Sequence, residues 1–354
     1  MRPPGQPPAE RPERYPARVT LRLEPELRAN PDLALDVVGV GNAIVDVIST
    51  VPEDFLDQHG LVKGAMTLID TERATSLYAA MPPGIETSGG SAANTMAGVA
   101  SLGGRSTYIG KVRDDQLGEV FAHDTCNGGV GFDVPFAAEG EPTARSLIQV
   151  TPDGERTMNT FLGISAFLSP GDIDQAIVES AAITYCEGYL WDRDEAKDAI
   201  RHAMAIASDA GRIVSLTLSD SFCVDRHRDE WMDLLDDRVD LVFANDAEVC
   251  SMFETDDFDV AARQIADMVE VAALTRSAEG SVVLANGERF DVPATPVDRV
   301  VDATGAGDLF ASGFIYGLLL GVSPERCAEL GSVAAGEVIT HMGPRPHVQL
   351  SSLI

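Results

Sequence analysis

A chain of 354 residues, 45% hydrophobic and 23% charged, has the composition of a globular protein that buries one large core or two modest ones. Its net charge of −30 disfavours nucleic-acid phosphates and anionic membrane surfaces as partners, and no stretch approaches the roughly 18 uninterrupted apolar residues of a membrane span. Five scattered cysteines (Cys126, Cys186, Cys223, Cys250, Cys327) without CxxC spacing argue against a disulfide framework or a zinc site and fit a reducing cytoplasm.

In chain order, residues 1–32 carry proline and charge without an apolar segment, so a disordered extension without a signal peptide is expected there, or an early start codon. A single α/β domain is expected over 33–354. Val37–Val40, Thr107–Val112, Ile183–Tyr185, Ile213–Leu218, Leu241–Ala244 and Val271–Thr275 read as strands, and Asp194–Ser208, Arg228–Leu235 and Ala247–Phe253 as helices. That alternation implies a mostly parallel sheet covered on both faces. Gly39-Val40-Gly41 does not complete a G-x-G-x-x-G pattern, which discounts a dinucleotide site. Asp46 is a lone charge in the extended run Ile44–Val51. Facing inward it needs partners such as sugar hydroxyls, and facing outward it sits on an exposed strand.

Ser88-Gly89-Gly90-Ser91-Ala92-Ala93-Asn94 leads into a helix, and Gly-Gly there permits close approach of backbone to a ligand. Asn94 falls on the first turn, where its amide can donate to and accept from a diol, although a tightly packed helix entrance explains the stretch equally well. Ala144–Val150 and Glu155–Phe161 flank Pro152-Asp153-Gly154, which is hairpin chemistry. With Ile44–Val51 they are expected to form a small second sheet, a lid made of segments near 44–70 and 134–165.

Asn245-Asp246-Ala247-Glu248 follows a core strand at the end where α/β sheets bind ligands. Asn245 and Glu248 share a helix face and can hold Mg²⁺ through water, or cap the helix as a box. The densest signal is Asp302-Ala303-Thr304-Gly305-Ala306-Gly307-Asp308 before the apolar run Leu309–Leu320. A helix starting there aims unpaired N–H groups and its positive dipole end at an anion, so Gly305, Ala306 and Gly307 read as an anion hole. Asp308 is then placed to take a proton from an attacking hydroxyl; a plain Gly-rich turn with an N-terminal carboxylate is the structural alternative.

From about Leu35 to Gly343 the chain resembles the PfkB, or ribokinase-like, kinases. The resemblance rests on Gly89–Gly118 with Gly110-Lys111-Val112-Arg113-Asp114-Asp115-Gln116-Leu117-Gly118, on Asn245–Glu248, and on Asp302–Asp308. It implies a Rossmann-type core with a β-lid, MgATP as donor and Asp308 as base. Gly41–Asp46, Pro52–Leu61, Gly188-Tyr189-Leu190 and Leu216–Phe222 are most similar to adenosine kinases within that family. Carried over, this implies that Asp46, Gly90 and Asn94 hold ribose hydroxyls and that Asn42 shapes the site. It places Arg156 near the substrate, and Thr275 and Gly280 in the nucleotide loop. Asp302 and Thr304 match a region where some relatives hold K⁺. Phe161, Leu162, Phe167 and Tyr189 are candidates for an apolar wall. Arg113 and Ser277 depart from the pattern, each standing where glycine is usual. The expected partners are ATP and a nucleoside or sugar, with no nucleic acid and no membrane, in a monomer or homodimer. A free-sugar or sugar-acid kinase is the alternative function, and a nucleoside sensor without turnover a further one.

Overall fold

The structure is a computed structural model that describes residues 33–354; the expected extension over 1–32 lies outside the described residues. Its strands, in chain order, are β1 (Leu35–Val40), β2 (Ile44–Thr50), β3 (Met66–Leu68), β4 (Ile85–Gly89), β5 (Ser106–Ile109), β6 (Ala144–Val150), β7 (Arg156–Phe161), β8 (Ala181–Glu187), β9 (Ile213–Thr217), β10 (Leu241–Asn245), β11 (Val271–Thr275), β12 (Ser281–Ala285) and β13 (Glu288–Val292). One sheet has the order β13-β12-β11-β10-β9-β8-β1-β5. From β11 to β5 all neighbours pair in parallel, while β12 and β13 are added antiparallel at one edge.

Strands covered on both faces must be apolar at every position. In β10, Leu241 and Phe243 join one core layer, while Val242 and Ala244 join the other. The helices Ser91–Ser101, Ala306–Leu319 and Pro324–Val338 supply the first layer. Asp194–Asp209, Ser221–Arg238, Asp246–Met252 and Phe258–Ala266 supply the second. The α/β core read from the sequence is thus the observed one. Differences are local. The run expected over Thr107–Val112 leaves the sheet at Ile109, and the helix expected over Arg228–Leu235 is the second half of Ser221–Arg238, which bends at His227 (φ −129°, ψ 21°).

The second sheet has the order β3-β7-β6-β2-β4. β6 and β7 form the expected hairpin, closed by a Gly154 N–H to Thr151 carbonyl bond of 2.8 Å. β2 runs parallel to β6 with Asp46 opposite Ser146. Asp115 fastens this sheet to the core: it caps the helix Gln116–Asn127 and accepts from the Thr143 N–H (2.9 Å) and hydroxyl (2.7 Å) just before β6. Arg113, where the family pattern has glycine, spans the same junction by donating to the Gly140 carbonyl.

Close packing fixes the helix that carries Asp308. A Cβ on Gly313 would lie 2.4 Å from the Leu330 carbonyl oxygen, and one on Gly98 would lie 2.3 Å from Ser312 Oγ. Ala306–Leu319 and Pro324–Val338 therefore meet almost backbone to backbone, and the Ser312 side chain fits against the bare backbone of Ser91–Ser101. Helix propensity alone favours alanine over glycine by about 1 kcal/mol, whereas overpacking a rigid contact costs about 1–3 kcal/mol. Gly313→Ala is expected to lower stability in denaturant unfolding; an increase would show that these helices separate freely.

Candidate active site

A cavity of about 550 Å³ lies where the carboxyl ends of the core strands face the second sheet. Two sequence segments cross there. Gly41-Asn42-Ala43 joins β1 to β2, and Gly90 (φ 95°) joins β4 to the helix Ser91–Ser101. Each carries one chain from the core to the second sheet or back, so Asn42, Asp46, Gly90 and Asn94 all line the cavity.

Asp308 sits in the first turn of Ala306–Leu319, where the helix dipole favours a carboxylate. Gly305 caps that helix in the left-handed conformation (φ 81°), which a side chain would strain. The Ala306 N–H closes the turn onto the Ala303 carbonyl at 3.2 Å, and Gly305, Ala306 and Gly307 all line the cavity. Asp308 accepts from Ser91 Oγ at 2.6 Å and from Asn94 Nδ2 at 3.0 Å. Burial raises its pKa above the usual carboxylate range, and those two bonds together with the Arg345 charge act against the rise. Asn94 Oδ1 is buried without a protein partner and is left to accept from a ligand hydroxyl.

Asp46 is buried, and burial pushes it up to about 6, opposed by Arg156 and Arg345. Asn42 is fully engaged: it donates to Glu187 Oε1 at 3.1 Å and accepts from Ser165 Oγ at 2.9 Å. Glu187, at the end of β8, also accepts from the Ala92 N–H at 2.9 Å, and burial pushes it up to about 7. Asn42 therefore shapes the site by holding Glu187.

At the other end, Asn245 and Glu248 form a reciprocal capping box. The Asn245 side chain accepts from the Glu248 N–H at 2.8 Å, and Glu248 Oε2 accepts from the Asn245 N–H at 3.0 Å. Both line the cavity, so the capping box leaves them within reach of it. Burial, reinforced by Asp220, Asp246 and Asp308, pushes Glu248 up to about 7. Thr275 ends β11 on the same rim, whereas Gly280 (φ 91°) closes the loop behind it. Ser277, where the family pattern has glycine, adopts φ 49° and carries the strain that a glycine would avoid.

Asp302 and Thr304, expected beside a monovalent cation, are bonded to each other and to further protein donors. Its Oδ1 accepts from the Thr304 N–H (3.0 Å) and hydroxyl (2.7 Å), and its Oδ2 accepts from the Gly343 N–H (2.9 Å) and from Arg156. Burial works against ionisation, but these donors hold its pKa below the usual range. Four donors fill the carboxylate, one of them already a cation. Arg156 thus bridges β7 to the segment ahead of the anion hole, with Nε and Nη2 buried and unpartnered.

The sequence reading passed over Ser91, Glu187 and Arg345. Glu187 had a signal, since it ends a core strand just as Asn245 does. Leu162 and Tyr189 line the main cavity, and with Phe161 and Phe167 they also line an adjoining one of about 420 Å³. Carboxylates dominate the main cavity (Asp46, Glu187, Asp192, Asp220, Glu248, Asp308), and Arg226 is the cation among its lining residues.

Comparison with known proteins gives this arrangement a family. An adenosine kinase from Sinorhizobium meliloti superposes with a TM-score of 0.84 at 52% identity, covering 90% of this chain and 98% of that one. A probable sugar kinase from Rhizobium etli CFN 42 matches at 51% identity with the same TM-score, covering 91% and 98%. Adenosine kinase of Saccharomyces cerevisiae is 25% identical over 330 residues, 87% of this chain and 96% of that protein. Among the described residues no helix is long and apolar enough to cross a membrane. The model of the pfkB family of carbohydrate kinases matches residues 68–349, and the chain belongs to that family of kinases acting on a hydroxyl group.

Proposed function

We propose that the protein is an adenosine kinase, transferring the γ-phosphoryl group of ATP to the 5′-hydroxyl of adenosine. ATP use follows from the family. The observation that carries the reading is one cavity holding Asp308, the buried unpartnered Asn94 Oδ1 and Asp46. The 52% identity to an adenosine kinase supports a nucleoside over a free sugar. The Rhizobium etli relative keeps a sugar as the second reading.

In this reading the ribose diol lies between Asp46 and Asn94, and the 5′-hydroxyl points at Asp308. Asp308 takes the hydroxyl proton as the oxygen attacks the γ-phosphorus. The Gly305 and Gly307 N–H groups meet charge developing on the phosphoryl oxygens. The second sheet covers the cavity and excludes water, which suppresses ATP hydrolysis. A cavity this acidic repels a polyphosphate, which fits a requirement for Mg²⁺. Asn245 and Glu248 would hold that ion through water, and the ion would neutralise phosphate charge.

The direct test is ADP release with Mg²⁺ and a panel of adenosine, inosine, guanosine, cytidine, ribose, fructose and 2-keto-3-deoxygluconate, with and without K⁺. Adenosine is expected to lead, and K⁺ to leave turnover unchanged because Arg156 already meets Asp302. A free sugar ahead of adenosine would replace the substrate assignment and leave the kinase chemistry standing. Asp308→Asn is expected to keep nucleoside binding and lose at least ~10²-fold in kcat; turnover near that of the wild type would remove Asp308 as base. In Asp46→Ala, KM for the nucleoside should rise far more than KM for ATP, and equal rises would reject a ribose contact.

A further inference from the structure

We propose that Arg345 is a positioning residue for phosphoryl transfer: its guanidinium ties the two ends of the Ser88–Ala93 bend together and keeps a fixed positive charge beside Asp46 and Asp308. The inference rests on the reading of Asp308 as base and names a residue that reading does not contain.

The geometry is a fork. Nε donates to the Ser88 carbonyl at 3.3 Å, Nη2 to Ser88 Oγ at 3.0 Å, and Nη1 to the Ala93 carbonyl at 3.2 Å. Ser88 closes on Asp124 from the other side, through its N–H and its hydroxyl, both at 2.7 Å. Gly89 and Gly90 lie between the clamped ends. A Gly-Gly pair has more backbone freedom than any other dipeptide, so its shape must be imposed from outside. Ser91 and Asn94, the two donors to Asp308, hang directly from this bend. A rigid planar fork spans two carbonyls that a flexible ammonium cannot hold at once. Truncating Arg345 would also leave the partly buried Ser88 and Ala93 carbonyls without these donors.

Charge supplies the second half. The groups around Asp308 are Asp46 on β2, Tyr185 and Glu187 on β8, Tyr189 just after it, and Glu248 on the helix Asp246–Met252. The Asp308 charge raises each of these groups, and its own burial favours a protonated, inactive Asp308. Arg345 acts in the opposite sense on both Asp308 and Asp46. A base must be ionised to accept a proton, so removing this cation moves the acid limb of activity to higher pH.

The test compares pH profiles of kcat and kcat/KM for the full chain with Arg345→Gln, Arg345→Lys and Asp308→Asn, assayed with adenosine and MgATP. In Arg345→Gln the acid limb of kcat/KM is expected to move to higher pH, with kcat lower by about tenfold or more. Arg345→Lys keeps the charge and loses the fork, so its acid limb stays in place while kcat falls. A glutamine variant that is only less heat-stable, with an unmoved acid limb and normal kcat, overturns the proposal. If the glutamine variant does not fold, the lysine variant decides alone: normal kcat overturns the proposal, and lowered kcat with an unmoved limb supports it. Turnover in Asp308→Asn near that of the wild type overturns the base assignment instead and leaves the Arg345 comparison to be read separately.

Discussion

Two hydrogen bonds, from Ser91 and Asn94 to the carboxylate of Asp308, join the first turns of two helices that lie more than two hundred residues apart in sequence. Everything near the cavity is arranged so that those turns meet. Gly98 admits the Ser312 side chain and Gly313 the Leu330 backbone, which leaves little freedom for one helix to slide past another. Gly305 turns the chain into the second helix in a left-handed conformation that glycine adopts without strain. The carboxylate that results is buried and raised in pKa, yet it is held by two donors at the positive end of a helix. Competing pulls of this kind are expected where a group must change protonation state during its work.

The core was legible because physical chemistry leaves parallel strands little choice. A strand covered on both faces is an unbroken apolar run, and Leu241–Ala244 and Val271–Thr275 could be read as nothing else of that length. The hairpin was legible from Pro-Asp-Gly. Other elements were not. β3 is three exposed residues, Met66–Leu68, with no pattern to read, and β4 is polar over most of its length. The β12–β13 hairpin did carry a signal: Asn286 (φ 55°) and Gly287 (φ 76°) form the Asn-Gly turn with both residues left-handed, and the reading passed over it.

The site divides in the same way. Asp308, Asn94 and Asp46 sit in motifs whose residue types suit their chemistry, and the fold brings them to one cavity. Arg345 has no local signal, because its partners are the backbone and hydroxyl of Ser88 and the backbone of Ala93, some 250 positions away, and nothing in the sequence Gly-Pro-Arg-Pro announces them. Arg156 shows a different limit. Its residue type and strand were read, but its partner was not: the guanidinium meets Asp302 where a free cation had been expected.

The raised carboxylates have a cost for the folded protein. Asp46 at about 6, with Glu187 and Glu248 at about 7, bind protons more tightly folded than unfolded, where such groups titrate near 4. Between those limits the folded chain holds more protons, so this contribution to stability is full below about pH 4 and drains away as pH rises from there to neutrality. At neutral pH these carboxylates ionise against the cost of their burial. A nearby cation or a hydrogen-bond donor to the charged form acts against that cost, as Arg156 and Arg345 do at Asp46 and as the Asn42 side chain and the Ala92 N–H do at Glu187.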